Sequence, residues 1–151
     1  MKIISGGQTG VDRAALDAAA DVGLPCAGTV PKGRRAEDGR IPDRYPVQEG
    51  ASSRYADRTR RNVLDADATL ILCRGVISGG TQLTVELAET TGKPFCVVDL
   101  SDPQAPRRAS EFIARVRPQT LNVAGPRESS DPGIGSAARN MLANVFADAL
   151  K

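Results

Sequence analysis

Histidine and tryptophan are absent from this 151-residue chain, and aromatic residues make up only 3% of it. Without histidine, both the commonest general base near neutral pH and the commonest imidazole metal ligand are missing, so proton chemistry falls to carboxylates. So few aromatics leave little for nucleobases to stack on, and a net charge of +2 is too small to draw a polyanion; no nucleic-acid partner is expected. No apolar run approaches the roughly 18 residues of a membrane span. The opening MKIISGG is too short for the apolar segment of a signal peptide. The expectation is a soluble, cytoplasmic protein with no membrane partner. The three cysteines, Cys26, Cys73 and Cys96, lie in apolar segments and are spaced far wider than a CxxC pair. They read as buried thiols of a reducing compartment rather than as metal ligands or a disulfide framework.

What is present suits one ordinary domain spanning residues 1–151, with 40% hydrophobic and 25% charged residues. Five short apolar runs, Lys2 to Ser5, Cys26 to Val30, Thr69 to Cys73, Phe95 to Leu100 and Gln119 to Val123, are bounded by turn formers and read as strands. Helical periodicity separates them. The first helix follows Thr9, which can cap it with Asp12 three residues on, and stops at Gly23. Others are expected from about Ser53 to Asp65, Thr81 to Gly92, Arg108 to Arg117, and beyond Pro132. Alternation at this spacing predicts βαβ units around a parallel sheet, an α/β fold. The long polar stretch from Pro31 to Ser52 has no periodicity and reads as a functional loop.

Three strand-to-helix loops are unusual: GGQTG after the first strand, RGVISGGT after the third and AGPRESSDPG after the fifth. Such loops share the carboxyl edge of a parallel sheet, where ligands bind. Glycine lets backbone N–H groups approach an anion, and a helix amino end adds about half a positive charge. Gly6, Gly7, Gln8, Thr9 and Gly10, with Arg74, Ser78, Gly79, Gly80 and Thr81, are therefore candidates for a phosphate cradle. Lys32, Gly33, Arg34 and Arg35 of the long loop and Pro126 and Arg127 of the fifth-strand loop would flank it, because arginine donates two hydrogen bonds at once to a phosphate. A purely structural glycine turn and a solvated charged loop remain the competing readings. Neither GxGxxG nor GxxxxGK[ST] is present.

The strings ISGGQTGVDRAALDAA, PKGRRAEDGRIPDRYP, DRTRRNVLDADATLIL, SGGT and LNVAGPRES resemble the molybdenum cofactor carrier family, from Ile3 to about Gly133. More distantly, the chain is similar to the Rossmann-like lysine-decarboxylase-like phosphoribohydrolases. Their PGGxGTxxE motif matches SGGTQLTVE, Ser78 to Glu86, except that Gln82 and Leu83 replace Gly-Thr, and their arginine ahead of that motif has a counterpart in Arg58. The resemblance implies a three-layer, Rossmann-like doubly wound sheet of about five strands in the order 2-1-3-4-5, with Gly6 to Gly10 opposite Gly79 to Thr81. It also implies a homodimer or homotetramer.

Three functions follow from the resemblance. The first is a carrier or storage protein holding molybdenum cofactor (molybdopterin) by its phosphate and oxyanion, through the glycine turns, Arg34, Arg35 and Arg127. Such a carrier needs no metal bound to protein atoms and would hand its cargo to molybdoenzyme recipients. The second is a nucleoside-monophosphate phosphoribohydrolase with Glu86 as the catalytic carboxylate and Arg58 on the phosphate. The third is a sensor that binds a nucleotide-derived ligand without chemistry.

Overall fold

Helix and strand alternate along the chain in a computed structural model that describes residues 1–151. The main strands are β1 (Lys2–Ile4), β2 (Cys26–Ala27), β7 (Ala68–Cys73), β8 (Phe95–Asp99) and β9 (Thr120–Ala124). The helices are α1 (Val11–Asp21), α2 (Tyr55–Asp65), α3 (Gly79–Thr91), α4 (Ala105–Val116) and α5 (Ile134–Ala149). Two-residue strands shape the Pro31 to Ser52 loop and its approach: β3 (Thr29–Val30) pairs with β6 (Gln48–Glu49), and β4 (Arg35–Ala36) with β5 (Gly39–Arg40). The expected run Cys26 to Val30 is therefore two strands. Gly28, at φ +139°, turns the chain out of the main sheet between them.

All five main strands are parallel, but their order is β2-β1-β9-β7-β8. This corrects the expected 2-1-3-4-5, which put the last strand at an edge. Instead β9 sits at the centre, with Leu121 opposite Ile3 on one side and Ala68 on the other. Leu121 and Val123 are fully buried, as a central strand requires. Counted as a cycle starting at β9, the order becomes 3-2-1-4-5, that of a doubly wound dinucleotide-type sheet. The topology is thus the familiar one with its first strand moved to the carboxyl end of the chain.

The sheet's two faces differ. On one, Ile3, Leu70, Leu72, Leu121 and Val123 pack with Val11 of α1, Phe112 of α4 and Leu142 and Phe146 of α5 in the main core. On the other, under α2 and α3, the buried residues include Asn62, Thr69, Thr84 and Asn122. A small satellite core joins Leu16 of α1 to Val30, Ile41 and Tyr45, fastening the long loop against that helix.

Candidate functional site

Adjacent central strands β9 and β7 lead into helices on opposite faces, α5 and α3. The loops diverge there and leave a cleft of about 570 Å³, within the usual range of small-molecule sites. Its walls come from the first loop (Gly6, Gln8, Asp12), from α2 (Tyr55, Arg58), from the start of α3 (Ser78 to Thr81, with Leu83 and Thr84) and from the β9 loop (Pro126, Arg127, Asp131). Asn122 of β9 and Arg74, just beyond β7, also line it.

The amino ends of α1, α2, α3 and α5 meet this edge, each with orphan N–H groups. At α1, Val11 N–H donates to the Pro126 carbonyl at 3.2 Å. At α5, the Glu128 carboxylate accepts from Gly133 N–H at 2.6 Å and Gly135 N–H at 3.0 Å. At α3, the N–H groups of Gly79, Gly80 and Thr81 have no acceptor in the protein, and the first bond is Gln82 N–H to the Ser78 carbonyl at 3.3 Å. The α3 end keeps its first three donors free at the cleft wall, with open space before Gly79 and Gly80, and the start of α2, where Tyr55 and Ala56 line the same cleft, likewise has no acceptor for its first N–H groups.

The GGQTG turn does something different from what its glycines suggest. A Cβ on Gly6 would run into the Arg58 guanidinium, with its Cζ at 2.8 Å; Gly10, at φ +79°, would meet the β9 loop, with Glu128 N at 2.8 Å. Gly7 backs onto Val30 and Ile41, not onto the cleft. The Gln8 side chain faces inward, its Oε1 accepting from Thr9 N–H at 3.1 Å and Glu37 N–H at 2.9 Å. The Thr9 hydroxyl does not cap α1, whose amino end has no side-chain cap; it donates to Glu37 and accepts from Glu128 N–H. Gly79 and Gly80, by contrast, have open space where a Cβ would be.

The basic candidates divide. Arg34 is buried and donates to the carbonyls of Ile41, Pro42, Tyr45 and Val47, so its guanidinium is spent on shaping the long loop. Lys32 and Gly33 are exposed away from the cleft, Gly33 N–H donating to Glu49. Arg35 is outside the cleft wall too, but stacks on Tyr55 at 4.4 Å from the ring centre. These four are corrections to the expected flanking set: their donors are engaged or point elsewhere. Arg74, Arg58 and Arg127 do line the cleft. Arg74 holds Asp131 through two bonds of 2.9 and 2.8 Å, which pull the Asp131 carboxyl below its usual range. Arg127 is 3.9 Å from Glu37 and half exposed.

Glu37, from the long loop, links the first loop to the β9 loop by accepting from Thr9 and from the Ser129 hydroxyl and N–H. Partial burial pushes its carboxyl up, and these hydrogen bonds outweigh that and bring it below the ordinary value. Glu86 lies two turns into α3, exposed, accepting from Gln82 at 3.3 Å. The structure does not bring it to the cleft wall beside Arg58.

Asp12, read from the sequence as part of a helix cap, stands in the cleft wall only 4% exposed. Its Oδ2 accepts from Gln8 N–H at 3.2 Å and from Arg58 Nη1 at 3.0 Å. Burial pushes its carboxyl up, with Arg58 partly offsetting the effect. Arg58 Nε is buried without a partner. Asn122 and Tyr55 were also missed; the signal for Asn122 was an amide in the middle of the apolar run TLNVA. No three His, Cys, Asp or Glu side chains group to hold a metal ion. No helix is long and apolar enough to cross a membrane.

The family model described as "Circularly permutated YpsA SLOG family" matches residues 3–146, and a permutation is what the central position of β9 expresses. The chain is also similar to a solved structure, "Putative molybdenum carrier protein" from Syntrophus aciditrophicus SB. The two are 47% identical, with 96% of this chain and 93% of that one covered and a TM-score of 0.90. No protein of curated function matches. With a sheet whose first strand has moved to the carboxyl end and a family match across nearly its whole length, the chain belongs to the circularly permutated YpsA SLOG family.

Proposed function

We propose that this protein binds a phosphate-bearing small molecule in the cleft, and that the molecule is molybdenum cofactor held as carrier or storage cargo. The observation that carries the reading is the free amino end of α3, where Gly79, Gly80 and Thr81 offer unpaired N–H groups and the two glycines leave open space, whereas the ends of α1 and α5 are filled by the protein itself. Free main-chain donors and the helix dipole favour an anion there. Arg58 and Arg127 add positive charge to the same cleft. The cargo's metal would be held by the pterin's own sulfurs, so the cleft supplies phosphate and pterin contacts and no metal ligands.

The name of the 47% identical relative supports the choice of cargo. Residence in the cytoplasm, where three free thiols stay reduced, delivery to molybdoenzyme recipients, and assembly into a homodimer or homotetramer belong to the same reading. Retention of molybdenum cofactor through gel filtration tests it. Wild type should co-elute with the cofactor, and Gly80→Asp, which sets a carboxylate at the α3 donors, should elute without it. Equal retention by the two proteins overturns the reading.

A further inference from the structure

A carboxylate is an odd lining for a cleft built to hold an anion, and Asp12 is placed to repel one. Its Oδ2 is satisfied twice, by Gln8 N–H and by Arg58 Nη1. Its Oδ1 takes no hydrogen bond, yet it is not among the fully enclosed unpaired atoms, a set that contains only Arg58 Nε. Since Asp12 lines the cleft, Oδ1 is the atom that opens onto it. The same reasoning applies to Arg58 Nη2, which has no partner and is not enclosed. An acceptor and a donor are thus left unpaired on two cleft-lining side chains that the 3.0 Å pair holds together.

We propose that this Asp12 and Arg58 pair binds an uncharged hydrogen-bonding edge of the ligand, one that donates to Asp12 Oδ1 and accepts from Arg58. The ligand of the cleft is then an organic phosphate, and not a bare oxyanion such as molybdate or sulfate. The proposal rests on the α3 end taking the phosphate and adds the recognition of what the phosphate is attached to. A ring amide, N–H beside C=O, matches the pair directly, and a hydroxyl can also serve both atoms. A fully deprotonated oxyanion such as molybdate or sulfate has nothing to donate to Asp12. Buried acceptors left unpaired are costly, so a ligand lacking a donor is rejected rather than merely unrewarded. Tyr55, half-buried in the cleft wall with Arg35 at 4.4 Å and Arg58 at 5.4 Å from its ring centre, packs beside the pair.

Isothermal titration of the full chain tests this with five probes: molybdenum cofactor released from a purified molybdoenzyme, GMP, ribose 5-phosphate, sulfate and molybdate. Wild type should bind at least one of the three organic phosphates at least about tenfold more tightly than both inorganic anions, the scale of one hydrogen bond to a charged group. The cofactor and GMP arms report a ring amide, and the ribose phosphate arm a hydroxyl.

Asp12→Asn keeps the shape but turns the group facing the cleft from acceptor to donor. It should lower organic phosphate affinity at least about tenfold, whereas sulfate and molybdate should bind as well as to wild type or better, because the carboxylate that repels them is gone. Equal binding of organic and inorganic anions by wild type, or organic phosphate affinity unchanged in a folded Asp12→Asn, overturns the proposal. The wild-type comparison stands even if the variant fails to fold. Gly80→Asp keeps the two ideas separable: organic phosphate binding that survives it defeats the α3 phosphate site, whereas a response to Gly80→Asp without one to Asp12→Asn defeats only the Asp12 assignment.

Discussion

The GGQTG turn and the ISGGT turn are alike on paper and opposite in the fold. Both set glycines between a strand and a helix at one edge of the sheet. In the first, the space a side chain would need is taken by Arg58 and by the β9 loop, and the helix end receives the Pro126 carbonyl. In the second, the space is empty and the N–H groups are unpaired. The first turn's glycines are spent on bringing protein groups together, and the second's leave room for something that is not protein. Glycine in a strand-to-helix loop signals close approach, and the sequence does not say whether the approaching group is the chain or a ligand.

The comparison can be broken most directly by putting a methyl group on each side of it. Gly10→Ala, at φ +79° and against the β9 loop, should lose about 2–4 kcal/mol in urea unfolding. Gly80→Ala, in open space at a helix start, should change stability by about 1 kcal/mol or less. Similar losses in the two would end the distinction between filled and open turns.

Next in size is Glu128→Ala. It uncovers the α5 amino end and should cost about 1–2 kcal/mol. It should also create a further free helix end, detectable as faster amide exchange at Gly133 and Gly135. Unchanged exchange there would mean that Glu128 is not what fills this end.

Acid should loosen the filled region. Glu37 and Asp131 have carboxyls held below their ordinary values of 4.5 and 3.8, so the stability they contribute is present above those values and lost as pH falls through the lowered ones. Asp12 works in the opposite sense: burial raises its carboxyl, so its contribution is full at acid pH and declines as pH rises past the raised value. Amide protection, taken relative to the intrinsic exchange rate at each pH, should therefore fall in the loop from Arg127 to Gly133 below about pH 4. Protection that holds there to pH 2 would contradict the Glu37 tie. The smallest effect belongs to Glu86→Gln, which should alter neither ligand retention nor unfolding, because the side chain touches only Gln82. A loss of binding would return Glu86 to the site.

Much of this was legible beforehand because it depends on near neighbours in the chain. The helix α1, the apolar strands β7 and β8 and the three glycine loops follow from periodicity and turn formers. Arg34 could not be placed that way: in sequence it is one more cation in a basic loop, and only the folded loop curls four carbonyls around it. Asp12 was legible as a helix-start carboxylate, and its ion pair with Arg58 joins residues 46 positions apart. The rank of β9 was hidden for a related reason. A five-residue strand carries no mark of its neighbours, and its pairing with both β1 and β7 is a matter of long-range register.

By itself the sequence determined an alternating α/β chain, glycine-rich loops along one sheet edge, and chemistry without imidazole. These are consequences of local backbone preference and of which residue types are available. The tertiary structure alone decided that β9 lies at the centre, that the ends of α1 and α5 are filled from within while that of α3 is not, and that Asp12 meets Arg58 in a cleft. Each of those outcomes is a competition among distant groups for the same donor or the same space, and such competitions are settled only when the chain has folded.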